Sequence, residues 1–223
     1  MLGALERSKV VTIYAGGEEP VYAIERGQHL VAAFYRNSAI HHFVDRAIAE
    51  LVLLAEPEDR WDAALALRDL LKFEFFFPDR DTHRAQLTAE LARMDAGWDT
   101  PDGPAVLAGA AFLIAHRVLR SFVDAQLVVA LRLAARNPRN PVVEKEFLDE
   151  CAAVGQQMLL QGRLHGPESL SRELFGSALK LAANRDLVDA GREELGKRRE
   201  EFAAQLERVV ADVRRIDALA VEP

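Results

Sequence analysis

Cysteine occurs once in the 223 residues, at Cys151, so no internal disulfide can form. A lone thiol with no neighbouring Cys or His motif reads as a small core residue, and a reducing compartment fits that usage. Positive charge is in deficit: 28 Lys and Arg against 35 Asp and Glu leave a net charge of −7. That balance disfavours a nucleic-acid partner, because phosphate binding is driven largely by Lys and Arg, and it disfavours simple adsorption to anionic lipid. Long uncharged apolar runs are missing as well. The longest, Pro104 to Ala115, falls short of the roughly 20 apolar residues that a bilayer-spanning helix needs. At the N-terminus Glu6, Arg7 and Lys9 precede the short run Val10 to Tyr14, in place of the apolar stretch of a signal peptide. Any membrane contact is therefore expected at the surface, or through another domain. Gly-x-Ser-x-Gly elbows, Cys-His signatures and Gly-rich phosphate loops are lacking too, and Gly16-Gly17 alone is a turn.

Half of the residues are apolar, enough for a substantial buried core. Their spacing predicts a mainly α fold, a multi-helix bundle with a short N-terminal β-hairpin: one helical domain over 1–223, with the hairpin at 8–26 and helices over 28–219. Val10 to Tyr14 and Pro20 to Ile24 flank Ala15-Gly16-Gly17-Glu18-Glu19, and the glycines are expected at positive-φ turn positions. Leu30, Phe34, Ile40, Val44, Ile48 and Leu51 recur at helical spacing, which predicts one long helix over 28–55 stopped by Pro57. A helix over 58–71 places Trp61, Ala64 and Leu65 on one face. The next begins near Asp79 or Asp81, either of which can cap it, and carries Leu87, Leu91 and Met94. A loop over 95–103 precedes Pro104, which suits a first turn, and a very apolar helix is expected from there to Arg136. Helices over 142–163, from Pro167 to about 183, and over 192–219 complete the bundle. Gly155 lowers the propensity of the first. In the last, Leu195, Phe202, Leu206, Val209, Val213 and Ile216 form a narrow stripe, with Glu193/Lys197 and Glu194/Arg198 as i,i+4 pairs.

Two segments carry chemistry-bearing residues. Tyr35, Arg36, Asn37, His41, His42 and Asp45 interrupt an apolar stretch, and burying such groups costs several kcal/mol unless they are paired. On a helix His41 and Asp45 share a face, so the group is a candidate domain interface, a substrate-pocket lining, or a polar network between helices. As metal ligands they supply at most two positions on one face, so no metal is expected there. Phe73, Phe75, Phe76 and Phe77 bring four of eleven phenylalanines into five positions. They form a core plug, a domain interface or a lipid contact, and the alternation Lys72-Phe73-Glu74-Phe75 allows a short extended segment. Arg117, Arg120 and Asp124 have the spacing of an intrahelical ion-pair ladder on a solvated face.

Tyr14-Ala15-Gly16-Gly17, Pro20 to Ile24, Gln28-His29-Leu30, Tyr35-Arg36-Asn37, Ile40-His41-His42-Phe43, Leu70 to Pro78, Gly162-Arg163-Leu164-His165 and Glu168 to Phe175 occur in that order. Together they resemble the C-terminal region of bacterial glycerol-3-phosphate acyltransferases, the membrane-associated sn-1 acyltransferases. Where related chains tend to carry Pro and an aromatic, this chain reads Arg120-Ser121-Phe122-Val123-Asp124-Ala125-Gln126. The superfamily's chemistry rests on a His followed five positions later by an Asp. Five positions beyond His29, His41, His42, His83, His116 and His165 stand Phe34, Arg46, Ala47, Thr88, Ser121 and Leu170. The resemblance thus implies a domain of an enzyme of phospholipid biosynthesis that carries no catalytic residue of its own and no cofactor. Its expected partner is a catalytic acyltransferase domain, in the same chain or a separate one, on the cytoplasmic side of the membrane.

Overall fold

The computed structural model describes residues 2–17, 19–24, 27–28, 31–32, 39–99 and 102–220. Contacts divide the chain into two compact units, Met1–His42 and Phe43–Pro223. In the first, helix α1 (Leu2–Arg7) packs against strand β1 (Val11–Tyr14), which pairs antiparallel with β2 (Val21–Ile24). Val11 stands opposite Ile24 and Tyr14 opposite Val21, so the hairpin forms as expected over these residues. Its glycines do not take positive φ; the left-handed glycines are Gly27, Gly162 and Gly191. The connection between the strands is six residues long, 15–20, longer than the two- and three-residue hairpin loops that call for a left-handed residue.

The second unit is a helical bundle, as the apolar spacing predicts, but two of the expected helices are broken. Within the span 28–55, Ile40–Phe43 is a 3-10 turn and α2 (Val44–Val52) follows it. Pro57 opens a further 3-10 turn, Pro57–Asp59, where its missing N–H is no loss. Helix α3 (Arg60–Leu71) buries Arg60, Ala64, Leu67, Leu70 and Leu71. The face predicted for it is thus rotated: Trp61 and Leu65 are only half-buried, and Trp61 meets Trp98 edge-on at 6.1 Å. Helix α4 (Arg80–Met94) starts where the cap signal placed it, with the Asp79 carboxylate accepting from the backbone N–H groups of Asp81 and Thr82. Leu87 and Leu91 are fully buried beneath it.

The apolar helix predicted over 104–136 divides into α5 (Gly103–Ala108) and α6 (Ala115–Ala134). A residue outside the segment accounts for the break. Glu50 of α2 has no exposed surface, and its carboxylate accepts from the backbone N–H of Ile114 at 2.9 and 3.0 Å and of Ala115 at 2.7 Å. Those are the orphan donors of the α6 first turn, and Ile114 offers no cap of its own. Arg46 completes the arrangement: Nε donates to Glu50 at 3.1 Å, Nη2 donates to the Phe112 carbonyl at 2.9 Å, and the guanidinium lies over the Phe112 ring. Gly103 secures α5, because a Cβ there would lie 1.9 Å from the Leu53 carbonyl oxygen.

Helix α6 is buried almost all round and forms the axis of the unit, with α2, α7 (Glu144–Leu160), α8 (Arg172–Asn184) and above all α9 (Leu195–Ala220) packed on it. Gly155 of α7 is a close-approach site, not merely a weak helix position: an added Cβ would stand 2.7 Å from Leu170 Cδ2 and 3.4 Å from Phe175 Cζ. Ser171 caps α8. The stripe on α9 is buried as predicted at Leu195, Phe202, Leu206, Val213 and Ile216, with Val210 taking the inward place expected of Val209. Glu193 and Glu194 lie ahead of this helix, Glu194 at φ 49°, so the helical pairs expected of them give way; Arg198 donates instead to the Arg185 carbonyl at 2.6 Å.

Replacing Glu50 by Ala strips Arg46 of its buried partner and uncaps α6. Urea denaturation should show a loss of about 3–5 kcal/mol, and amide exchange at Ile114 and Ala115 should accelerate. A loss under about 1 kcal/mol would mean that α6 starts at Ala115 for local reasons.

Candidate functional site

Of the polar group expected to act together, Tyr35, Arg36 and Asn37 lie outside the described residues. His41 and His42 are exposed, their ring centroids 3.8 Å apart. They sit in a 3-10 turn, where the four-residue spacing of an α-helix does not apply. Asp45, half-buried at the head of α2, meets His83 of α4 instead, Oδ1 to Nδ1 3.7 Å. Sequence spacing left His83 unassigned.

His83 is 1% exposed, and neither ring nitrogen has a hydrogen-bond partner among the described residues. Phe77 stands edge-on to the imidazole at 5.3 Å, and His83 lines a cavity of about 190 Å³ with Trp61, Leu65, Arg80 and Arg84. Burial pushes the imidazole pKa down, against the opposing pull of the Asp45 charge. The Asp45 carboxyl is itself raised, first by burial and further by Glu90, with His83 acting the other way. A second histidine is held similarly. His116 of α6 accepts from Arg117 Nε at 3.2 Å through Nε2, which requires a neutral ring, and lies 3.6 Å from Asp217 of α9. Its pKa is lowered mainly by burial.

The Arg117, Arg120 and Asp124 ladder is not solvated as predicted. Arg117 is exposed, but Arg120 and Asp124 are buried, because the helices packed on α6 cover it at those positions. Arg120 Nε donates to both Asp124 oxygens at 3.1 Å, and Asp124 Oδ2 accepts from the His165 backbone N–H at 2.9 Å. The pair therefore clamps the turn that follows α7.

The phenylalanine segment divides. Phe75 enters the core against Phe122, at 4.9 Å edge-on, and Phe77 is half-buried. Phe73 is partly exposed, and Phe76 is wholly exposed at 108% relative accessibility. No strand forms there; 72–74 is a turn.

Neither His–Asp approach is within hydrogen-bond distance, so neither carboxylate orients its imidazole as a general base requires. Cys151 is fully buried, with its thiol pushed up by burial to about 12, far from a nucleophile. Among the described residues no group of three or more His, Cys, Asp or Glu could hold a metal ion. The signal for Glu50 was present in the sequence as a charge inside the apolar run Ile48 to Val52, and burial costs apply to it as to Arg36 or His41. Its partners, 64 and 65 residues away, were not legible.

The sequence profile described as "Glycerol-3-phosphate acyltransferase C-terminal region" matches residues 1–191. Among curated proteins, the chain is 44% identical over 230 residues to a protein named "Putative acyltransferase plsB1" from Mycobacterium bovis. It is equally similar to proteins of that name from the CDC 1551 and H37Rv strains of Mycobacterium tuberculosis. The alignment takes in 96% of this chain and 36% of each relative, so the chain spans about a third of their length. No solved structure matches.

Both buried imidazoles have folded-state pKa values below the ordinary 6.5. The stability that they contribute is fully present above that value and is lost as the pH falls through the lower, folded-state values. The urea midpoint should decline between pH 7.5 and 5.5, and replacing His83 and His116 together by Asn should flatten the slope. A slope unchanged by the double substitution would assign the acid sensitivity to other groups.

Proposed function

As the chain belongs to the glycerol-3-phosphate acyltransferase C-terminal region family, we propose that it is the C-terminal, non-catalytic domain of a glycerol-3-phosphate 1-O-acyltransferase. In the complete enzyme an acyl group passes from acyl-CoA or acyl carrier protein to the sn-1 hydroxyl of glycerol 3-phosphate, with a His as general base and an Asp that orients it. The observation that carries the non-catalytic reading is that none of the six histidines here has the required Asp five positions on. The two His–Asp approaches made through the fold, at 3.7 and 3.6 Å, supply no oriented base. What the domain offers instead is a stiff bundle, with α6 locked at its N-terminus by Glu50, able to brace a catalytic domain. Incubated with acyl-CoA and glycerol 3-phosphate, the purified chain should give no acyl-ester product above background. Turnover that disappears in His83→Asn would overturn the scaffold role.

A peripheral membrane contact on the cytoplasmic side belongs to the same reading. No helix among the described residues is long and apolar enough to cross a membrane. Phe76 stands fully in solvent just after the turn 72–74, and Phe73 within that turn is partly exposed, with the Lys72 ammonium 5.6 Å from its ring. A ring held out of a core in this way gains about 1.5–3 kcal/mol by entering lipid. Phe76→Ser should keep the circular dichroism of the parent and reduce flotation with phosphatidylglycerol-containing vesicles roughly tenfold. Equal flotation of the two proteins would exclude this contact.

A further inference from the structure

The segment 72–79 joins α3 to α4 and carries both the buried Phe75 and the exposed Phe76. Ahead of Phe76 it is firmly anchored. The Glu74 and Phe75 amides donate to the Leu71 carbonyl at 2.9 and 3.0 Å, and the Phe75 ring packs on Phe122. Between Phe76 and the Asp79 cap, the restraints come from Arg68 and His83. Arg68 Nη2 donates to the Pro78 carbonyl at 2.7 Å, the Arg68 guanidinium lies 5.7 Å over the Phe77 ring, and that ring stands edge-on to His83 at 5.3 Å. His83 is thus the part of α4 that Phe77 leans on.

A buried imidazole with no hydrogen-bond partner for either nitrogen among the described residues is a costly choice for that contact. A leucine would fill the place without the cost; what histidine adds is a charge that acid switches on. The charged groups around it act unequally. From α2, the Asp45 carboxylate lies 3.7 Å from Nδ1; Glu90 of α4 acts on that carboxylate and is itself 3.7 Å from Arg46. Burial and, from α3, the Arg68 charge oppose protonation. On α4, Arg80, Asp81 and Arg84 line the cavity of about 190 Å³ beside the ring, with Arg84 held over Trp61 at 4.5 Å. An imidazolium is drawn to Asp45 and repelled by Arg68, the residue that holds Phe77 and Pro78. A shift of about 1 Å brings Nδ1 to hydrogen-bond distance of Asp45, and the cavity gives the ring room to make it.

We propose that His83 is an acid-sensitive latch on this segment: the neutral ring holds Phe77 in place, and protonation moves the ring to Asp45 and frees Phe77 together with the exposed Phe76. The latch works whether or not Phe76 meets lipid, and wherever catalysis resides. Nuclear magnetic resonance of the full isotope-labelled chain tests it between pH 7.0 and 4.5. The His83 Cε1–H shift gives the protonation midpoint, and the heteronuclear NOE of the Phe76 and Phe77 amides reports their mobility. Both NOE values should fall by about a third or more across that midpoint, while those of Phe75 and of Leu87 to Met94 hold. His83→Asn should abolish the dependence. Asp45→Asn, at a half-buried position, should move the midpoint and the NOE change together to lower pH, and it keeps the test decisive if the His83 variant misfolds. NOE values that stay constant or rise across the midpoint, a fall shared equally by Phe75 and Leu87, or the same fall in His83→Asn would each overturn the latch.

Discussion

A carboxylate with no exposed surface, Glu50, holds the N-terminus of the helix on which α2, α7, α8 and α9 pack. A buried charge is tolerated only where donors surround it, and here they are two backbone N–H groups and the Arg46 guanidinium. The α6 first turn in turn has donors that need an acceptor, and its own N-cap position, Ile114, has no side-chain oxygen to give. Each side of the contact satisfies a deficit of the other. Its consequence is positional: α2 is fixed against α6, and α4, which packs on α2, is carried with it.

The other interior charges obey the same logic. Asp124, with Arg120, holds the His165 amide; Arg199, fully buried in α9, donates to the Leu187 carbonyl; Arg60 donates to the Trp98 carbonyl; and Gln126 reaches the Leu70 carbonyl. In all of these a charged or polar side chain on a helix satisfies the backbone of a loop or a helix end elsewhere. Such groups could have been mistaken for a reactive centre, since they are ionisable, buried and drawn from distant parts of the chain. Their partners decide otherwise: a carboxylate saturated by amide donors and a guanidinium bonded to carbonyls are structural, and neither buried imidazole is hydrogen-bonded to a carboxylate.

A bundle whose polar interior is spent on its own backbone has its surfaces left for function. Two of them are distinctive in this protein. Phe76 presents a fully exposed aromatic ring, and an apolar trough lies between α9 and the pair α2–α3. Both are features that a water-facing brace has no need of.

Much of the architecture follows from local rules that the chain carries in order. The hairpin follows from β-branched alternation around Gly16-Gly17, the α4 start from Asp79, and the α9 core face from its narrow stripe, whereas the helix expected from Pro167 begins only at Arg172. The resemblance that placed the chain in its family rests on ordered short motifs, and these too are local. What the tertiary structure alone decided are the relations across distance: the break at 109–114 imposed by Glu50, the meeting of Asp45 with His83, the enclosure of Arg120 and Asp124, and the separation of Phe75 into the core from Phe76 in solvent. Periodicity reports which side of a helix is apolar, but it cannot report a helix covered by neighbours over most of its circumference. Nor can it show which backbone donors, dozens of residues away, will meet a buried carboxylate, because that depends on packing that no window of sequence contains.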